Sequence, residues 1–221
     1  MKKNKVRLVI FDLDGTLIDS TEEIQFVVNS ALEKNNFPIR SKEFYIANIG
    51  SGIEDLLVKS LPNTFTQNFN EVLNQVKNIY SENLNKKSKV FDGVYDILNL
   101  LLTRNTHIGL VTNKLHLLAL KCVEKYFKEY KMKSYGAGYL YERKPNPKST
   151  LEIMSFYQVK PQNTLFIGDS EIDIKTAKNA NIISGGVLWG NGSAKELENA
   201  SADLLFKTPK DLFKYLNKSL F

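Results

Sequence analysis

A chain of 221 residues has room for one full domain with a sizeable insertion, and 43% apolar with 24% charged side chains is an ordinary soluble, globular composition. No apolar run approaches the roughly 18 residues that span a bilayer, and the basic start Met1-Lys2-Lys3-Asn4-Lys5 leads only into the short stretch from Leu8 to Phe11, which argues against a secretory leader. The formal charge of +6 arises from scattered lysines, with arginine only at positions 7, 40, 104 and 143, so a nucleic-acid-binding stripe is disfavoured and an anionic small substrate is favoured. The single cysteine, Cys122, permits no intrachain disulfide, in keeping with a reducing cytoplasm. The expectation is a cytoplasmic monomer or homodimer that acts on a small molecule, without nucleic acid or membrane.

In chain order, residues 6–11 form a short β-rich apolar run, a buried strand that ends at Asp12. Ser20 and Glu23 have capping-box spacing, and Ile24, Val27, Val28, Ala31 and Leu32 follow at helical spacing. A second amphipathic helix is predicted over about 52–61, and a third carries Phe69, Val72, Leu73, Val76, Ile79 and Tyr80 on one face. From Val90 onward helix and strand alternate. Val94, Ile97, Leu98, Leu101 and Leu102 make a helical face, and strands are predicted at 107–111, 134–139, 165–167 and 182–187. Cys122 falls on the apolar face of a predicted helix, where packing explains it. The pattern predicts an α/β protein: a Rossmann-like, doubly wound parallel sheet formed by residues 1–18 and 89–221, with residues 19–88 inserted as an all-helical cap domain. The first strand has to join the later ones, because one strand cannot form a sheet.

Ligands of open α/β sheets bind beyond the carboxyl ends of the strands. There stand Asp12 and Asp14 after the first strand, Thr112 and Asn113 after the second, Lys144 after the third, and Asp169 and Asp173 after the fourth. Singly, each of these has an ordinary alternative, since Asp14-Gly15 suits a turn and Asp169 a helix cap. Together they place crowded carboxylates at one sheet edge, which repel unless a cation holds them. With oxygen donors and no Cys or His nearby, that cation is expected to be Mg²⁺ rather than Zn²⁺. His107 and His116 are expected in core or surface roles.

The run Phe11-Asp12-Leu13-Asp14-Gly15-Thr16, Val111-Thr112-Asn113-Lys114, Lys144-Pro145-Asn146-Pro147 and Gly168-Asp169-Ser170-Glu171-Ile172-Asp173 resembles, in order, the four motifs of the haloacid dehalogenase superfamily. The resemblance implies Asp12 as nucleophile, Asp14 as general acid and base, Thr112 with N–H groups around Gly15 and Asn113 on the phosphoryl oxygens, and Lys144 as a charge neutraliser. It also implies Mg²⁺ held by Asp12, the Asp14 main-chain carbonyl and Asp169, with Asp173 behind them. Asp14 argues against dehalogenation, whose departing halide needs no proton, and against the phosphonate-cleaving branch, for whose Schiff base Lys34, Lys42 and Lys59 are available. Gly168 stands where sugar-phosphate mutases carry Glu. The expected activity is therefore hydrolysis of a phosphate monoester. Ile49-Gly50-Ser51-Gly52 and Trp189-Gly190-Asn191-Gly192 resemble segments of phosphoglycolate phosphatases, which makes 2-phosphoglycolate the leading substrate. Gly50, Ser51 and Gly52 are either an anion site at a helix start or a flexible connector, and Trp189 is either functional or packed. The alternatives are an inorganic pyrophosphatase, a nucleotidase, a sugar phosphatase, a phosphoryl-transferring mutase and a non-catalytic binding protein.

Overall fold

The computed structural model describes residues 5–140 and 142–219. The basic start at residues 1–4 lies outside them. Strand β1 (Leu8–Phe11) is fully buried and leads through a turn to β2 (Ile18–Asp19). Four helices follow: α1 (Thr21–Lys34), α2 (Lys42–Asn48), α3 (Ile53–Ser60) and α4 (Phe69–Asn83). The chain returns through β3 (Lys89–Val90), which pairs antiparallel with β2 and so brings the two ends of the helical segment side by side. Alternation then sets in: α5 (Val94–Thr103), β4 (His107–Leu115), α6 (His116–Tyr126), β5 (Lys133–Ala137), α7 (Lys148–Tyr157) and β6 (Thr164–Gly168). The last elements are α8 (Glu171–Asn179), β7 (Ile183–Val187), α9 (Ala194–Asn199), β8 (Leu204–Phe206) and α10 (Pro209–Ser219).

Six strands form one parallel sheet in the order β5-β4-β1-β6-β7-β8. The chain winds outward from β1 to β4 and β5, then returns to the other side of β1 for β6, β7 and β8. The order therefore reverses at β1, and a crevice opens there at the carboxyl ends. Continuous apolar runs suit strands covered on both faces. Val9 and Phe11 pack with Ile97, Leu98, Cys122 and Leu212 on one face, while Leu8 and Ile10 pack with Ile153, Met154 and Ala177 on the other. The helical segment has its own buried cluster, including Ile24, Val28, Tyr45, Leu57, Val76 and Tyr80, which touches the sheet region mainly through Leu118 of α6 and Leu115.

Three local features depart from expectation. The capping box at Ser20 and Glu23 does not form, because Ser20 Oγ donates to Asp14 Oδ1 at 2.6 Å and Glu23 Oε2 accepts the Lys87 N–H at 3.2 Å. A capping box forms instead at the start of α8, between Ser170 and Asp173. Helix α2 and strands β2, β3 and β8 carry no periodic signal: α2 buries only Tyr45, and the three strands are two or three residues long. Strand β4 runs on to Leu115, with its register against β5 shifting between Val111 and Leu115.

Candidate active site

Phe11 is in register with Leu110 on one side and Ile167 on the other, and the Asp12 N–H continues the ladder to Ile167 O at 2.9 Å. The chain then turns sharply, with the N–H groups of Leu17 and Ile18 both bonded to Leu13 O. Gly15 holds a φ of +84°, and a Cβ there would lie 2.1 Å from Asp169 Oδ2. Only glycine lets this turn lie against Asp169. Gly190 closes the other side, since its Cβ would lie 2.1 Å from Gly15 O.

Behind the turn is a buried charge cluster. Lys144 Nζ lies 2.7 Å from Asp12 Oδ1 and 2.6 Å from Asp173 Oδ1. The ammonium thus ties Asp12 to Asp173 through two buried ion pairs. Asp173 is saturated, because its Oδ2 accepts the Ser170 N–H at 3.0 Å and Oγ–H at 2.7 Å. Asp169 accepts from Thr16 Oγ1 at 3.2 Å and from the Asn191 N–H at 2.8 Å. Carboxylate oxygens of Asp12, Asp169 and Asp173 all lie within 4.8 Å of one another.

Burial pushes the Asp12 carboxyl up to about 7; the nearby Lys144 ammonium opposes this, and the Asp173 charge adds to it. Burial, then the Asp173 and Asp12 charges, push Asp169 up to about 8. Burial works against the Lys144 ammonium, but the Asp12 and Asp173 carboxylates outweigh it and raise the group above its ordinary value. One lysine among three buried carboxylates leaves negative charge uncompensated. An all-oxygen donor set around Asp12 and Asp169 therefore fits a hard divalent cation such as Mg²⁺.

In front of Asp12 is a cavity of about 40 Å³. Its sheet side is Asp12, Asp14, Thr112, Asn113, Lys114 and Leu115, and its helical side includes Ile24, Ile49, Gly50, Gly52, Ile53, Leu56 and Tyr80. Asn113 joins the two parts: its Oδ1 accepts the Lys144 N–H at 2.9 Å and its Nδ2 donates to Gly50 O at 3.0 Å. Of the residues expected to bind substrate, Asn113, Gly50 and Gly52 line this cavity, whereas Gly15 packs on Asp169 and Ser51 lies outside it. The Ser51 carbonyl accepts from Arg143 Nη1 at 3.1 Å, and Arg143 Nη2 pairs with Asp55 at 3.3 Å. His116 stacks on Tyr139 and His107 on Tyr157, Cys122 is buried in the core, and Lys34, Lys42 and Lys59 are exposed outside the cavity. Trp189 is partly buried and donates from Nε1 to Thr16 O at 3.0 Å.

Sequence reasoning missed Lys114, Tyr80, Thr16, Asn191 and Arg143. Lys114 Nζ donates to Asp14 Oδ1 at 2.8 Å and also bonds the Tyr80 hydroxyl. Two signals point to it: its place in the run Val111-Thr112-Asn113-Lys114, and its position two residues beyond Thr112, because alternate strand residues share a face.

Comparison with known proteins agrees with this architecture. Residues 9–187 match the sequence profile of the haloacid dehalogenase-like hydrolases. A phosphoglycolate phosphatase of Aquifex aeolicus is 30% identical over 97% of this chain and 99% of its own length. One from Escherichia coli O157:H7 is 28% identical over 96% and 92%, respectively. A crystal structure from Lactobacillus delbrueckii subsp. bulgaricus, named as a candidate phosphoglycolate phosphatase, superposes with a TM-score of 0.88 at 27% identity, over 96% of this chain and 98% of that one. The chain belongs to the haloacid dehalogenase-like hydrolases, and within that family it is a phosphoglycolate phosphatase-like phosphatase. Among the described residues no helix is long and apolar enough to cross a membrane.

Proposed function

We propose that the protein hydrolyses a small phosphate monoester, with 2-phosphoglycolate the leading substrate, through an aspartyl-phosphate on Asp12. An Asp12 carboxylate oxygen attacks phosphorus and the bond to the ester oxygen breaks. Asp14 acts as the general acid that delivers a proton to that oxygen, and the alcohol leaves. Asp14 then takes a proton from a water molecule, whose oxygen attacks phosphorus. Phosphate departs and the Asp12 carboxylate is restored. Thr112 and the N–H groups near Gly15 and Asn113 hold phosphoryl oxygens, and Lys144 offsets negative charge at Asp12. Asp12, Asp169 and the Asp14 main-chain carbonyl would hold Mg²⁺, with Asp173 outside them; the ion would neutralise charge on the phosphoryl group. Residues 19–88 act as a cap domain over a core of residues 1–18 and 89–221, with Gly50, Ser51 and Gly52 in the loop that meets the substrate side.

The observation that carries this reading is Asp12 itself. It is a buried carboxylate that opens onto the cavity, with Lys144 Nζ 2.7 Å from its Oδ1. Ile24, Ile49, Ile53 and Leu56 on the helical side carry no side-chain polar group for the hydroxyls of a nucleoside or a hexose, which favours a compact leaving group. The test is a screen of phosphate esters with purified protein and Mg²⁺. A preference for nucleotides, sugar phosphates or pyrophosphate would overturn the substrate, and no hydrolysis of any ester would overturn the activity.

Asp169→Asn is expected to weaken apparent Mg²⁺ affinity by about 10-fold or more, and Asp173→Asn by much less, because both Asp173 oxygens are already engaged. Mg²⁺ affinity is also expected to rise with pH across the values of about 7 and about 8 for Asp12 and Asp169, since the ion must displace their protons. Calorimetric titration in two buffers of different ionisation enthalpy reads the released protons, and a pH-independent affinity would contradict the assignment. Gly52 holds a φ of +98°, and a Cβ there would lie 3.1 Å from Asn113 O. Gly52→Val should lower kcat/KM for phosphoglycolate by about 10-fold or more, and that for an aryl phosphate by less. Equal losses would assign the loop to closure or folding rather than recognition.

A further inference from the structure

We propose that Lys114, assisted by Tyr80, receives a negative charge on the leaving group, so that the substrates are phosphate esters bearing a carboxylate next to the ester carbon. The inference rests on the phosphatase reading above and deepens it.

Among the described residues Lys114 is the one cationic side chain in the cavity wall. Its side chain is 1% exposed, and its ammonium meets Asp14 Oδ1 at 2.8 Å and the Tyr80 hydroxyl. Among the described residues no third acceptor takes its remaining proton. The neighbouring walls are Ile24, Ile49, Ile53 and Leu56, a low-dielectric lining in which a fixed charge acts strongly on a ligand. Asp14 protonates the ester oxygen in the proposed reaction, so an ammonium one hydrogen bond away lies just beyond that oxygen. A carboxylate on the adjacent carbon reaches it and gains a charge-assisted hydrogen bond from the remaining ammonium proton, whereas a neutral group gains only the weaker neutral one.

The loop from Gly50 to Gly52 shapes the cavity but brings no cation to it. The Gly50 and Ser51 carbonyl oxygens are held by core donors, Asn113 and Arg143, and the loop opens a helix whose first turn carries Glu54 and Asp55. Acidic residues there offset the positive end of the helix.

The test compares 2-phosphoglycolate with its neutral counterpart 2-hydroxyethyl phosphate, in the unmutated enzyme and in Lys114→Met. The unmutated enzyme should prefer phosphoglycolate, and Lys114→Met should lose about 30-fold more kcat/KM on phosphoglycolate than on the neutral ester, chiefly through KM. Equal losses on both esters would mean that Lys114 only positions Asp14, and would overturn the proposal. Lys114→Met could fail to fold, so inhibition of the unmutated enzyme is measured as well, with p-nitrophenyl phosphate as substrate. There 3-phosphonopropionate should bind about 10-fold more tightly than 3-hydroxypropylphosphonate. Equal inhibition would overturn the recognition role. Hydrolysis of p-nitrophenyl phosphate without a carboxylate preference would reject this inference alone, and no hydrolysis of any ester would reject the phosphatase reading with it.

Discussion

Asp12→Asn should abolish turnover, with kcat falling by at least about 10³-fold, while the protein stays folded. An amide of nearly the same shape cannot form the proposed phosphoenzyme. The substitution should not harm stability, and the sign follows from the environment of Asp12. Burial raises its folded pKa to about 7, from an ordinary 3.8, so the ionised form is disfavoured in the folded state. That penalty is absent well below the unfolded pKa and fully present above the folded one. Removing the charge should therefore leave the Tm unchanged or raised at pH 8 in chelator, and Lys144 keeps Asp173 as its partner. Near-normal turnover in a homogeneous sample would rule out the covalent route, and a large fall in Tm would show that the lost activity is a folding defect.

Lys144→Met should have the second-largest effect, on both chemistry and stability. The ammonium touches Asp12 and Asp173, and its side chain is only 2% exposed. Without it, Asp12 and Asp173 lose the cation that pairs with both, and among the described residues no other ion pair reaches Asp12, Asp169 or Asp173. Breaking a buried ion pair on one side costs about 3–5 kcal/mol, which for a protein of this size corresponds to a fall of roughly 10 °C in Tm. We expect that fall in chelator at pH 9, together with a loss in kcat of about 10³-fold or more with Mg²⁺ present. The destabilisation should shrink as pH drops, because burial already raises the Asp12 and Asp169 carboxyls, the variant loses the lowering effect of Lys144, and their protonation relieves the repulsion. Thermal melts at pH 6 and pH 9 distinguish this from simple loss of packing, which would lower Tm equally at both.

Much of the architecture was legible from periodicity. The strand ending at Asp12 and the helices on the Ile24, Leu56 and Val76 faces were expected, because apolar spacing reports burial directly. Helix α2 escaped because Tyr45 alone is buried along it, and β8 because it is a three-residue strand at the sheet edge. Ser20 shows the limit of local spacing. Its distance from Glu23 suits a capping box, yet its hydroxyl is drawn to Asp14, a contact that depends on how the first turn folds back.

The amino-acid order alone carried the chemistry: carboxylates, a threonine and a lysine just past strand ends, in a sequence of motifs that defines the family. Those features are local, and alternating apolar segments place them at one edge of a sheet whatever the details of packing. Tertiary structure decided which of them meet. Sheet order brings Lys114 to Asp14 across 100 residues and Thr16 to Asp169 across 153, and the loop after β7 sets the Asn191 N–H on Asp169. It also decided that the Gly50 and Ser51 carbonyls accept from Asn113 and Arg143, and which residues of the helical segment face Asp12. Such contacts arise where separate elements pack, and the short-range spacing of residues along one element contains no record of them.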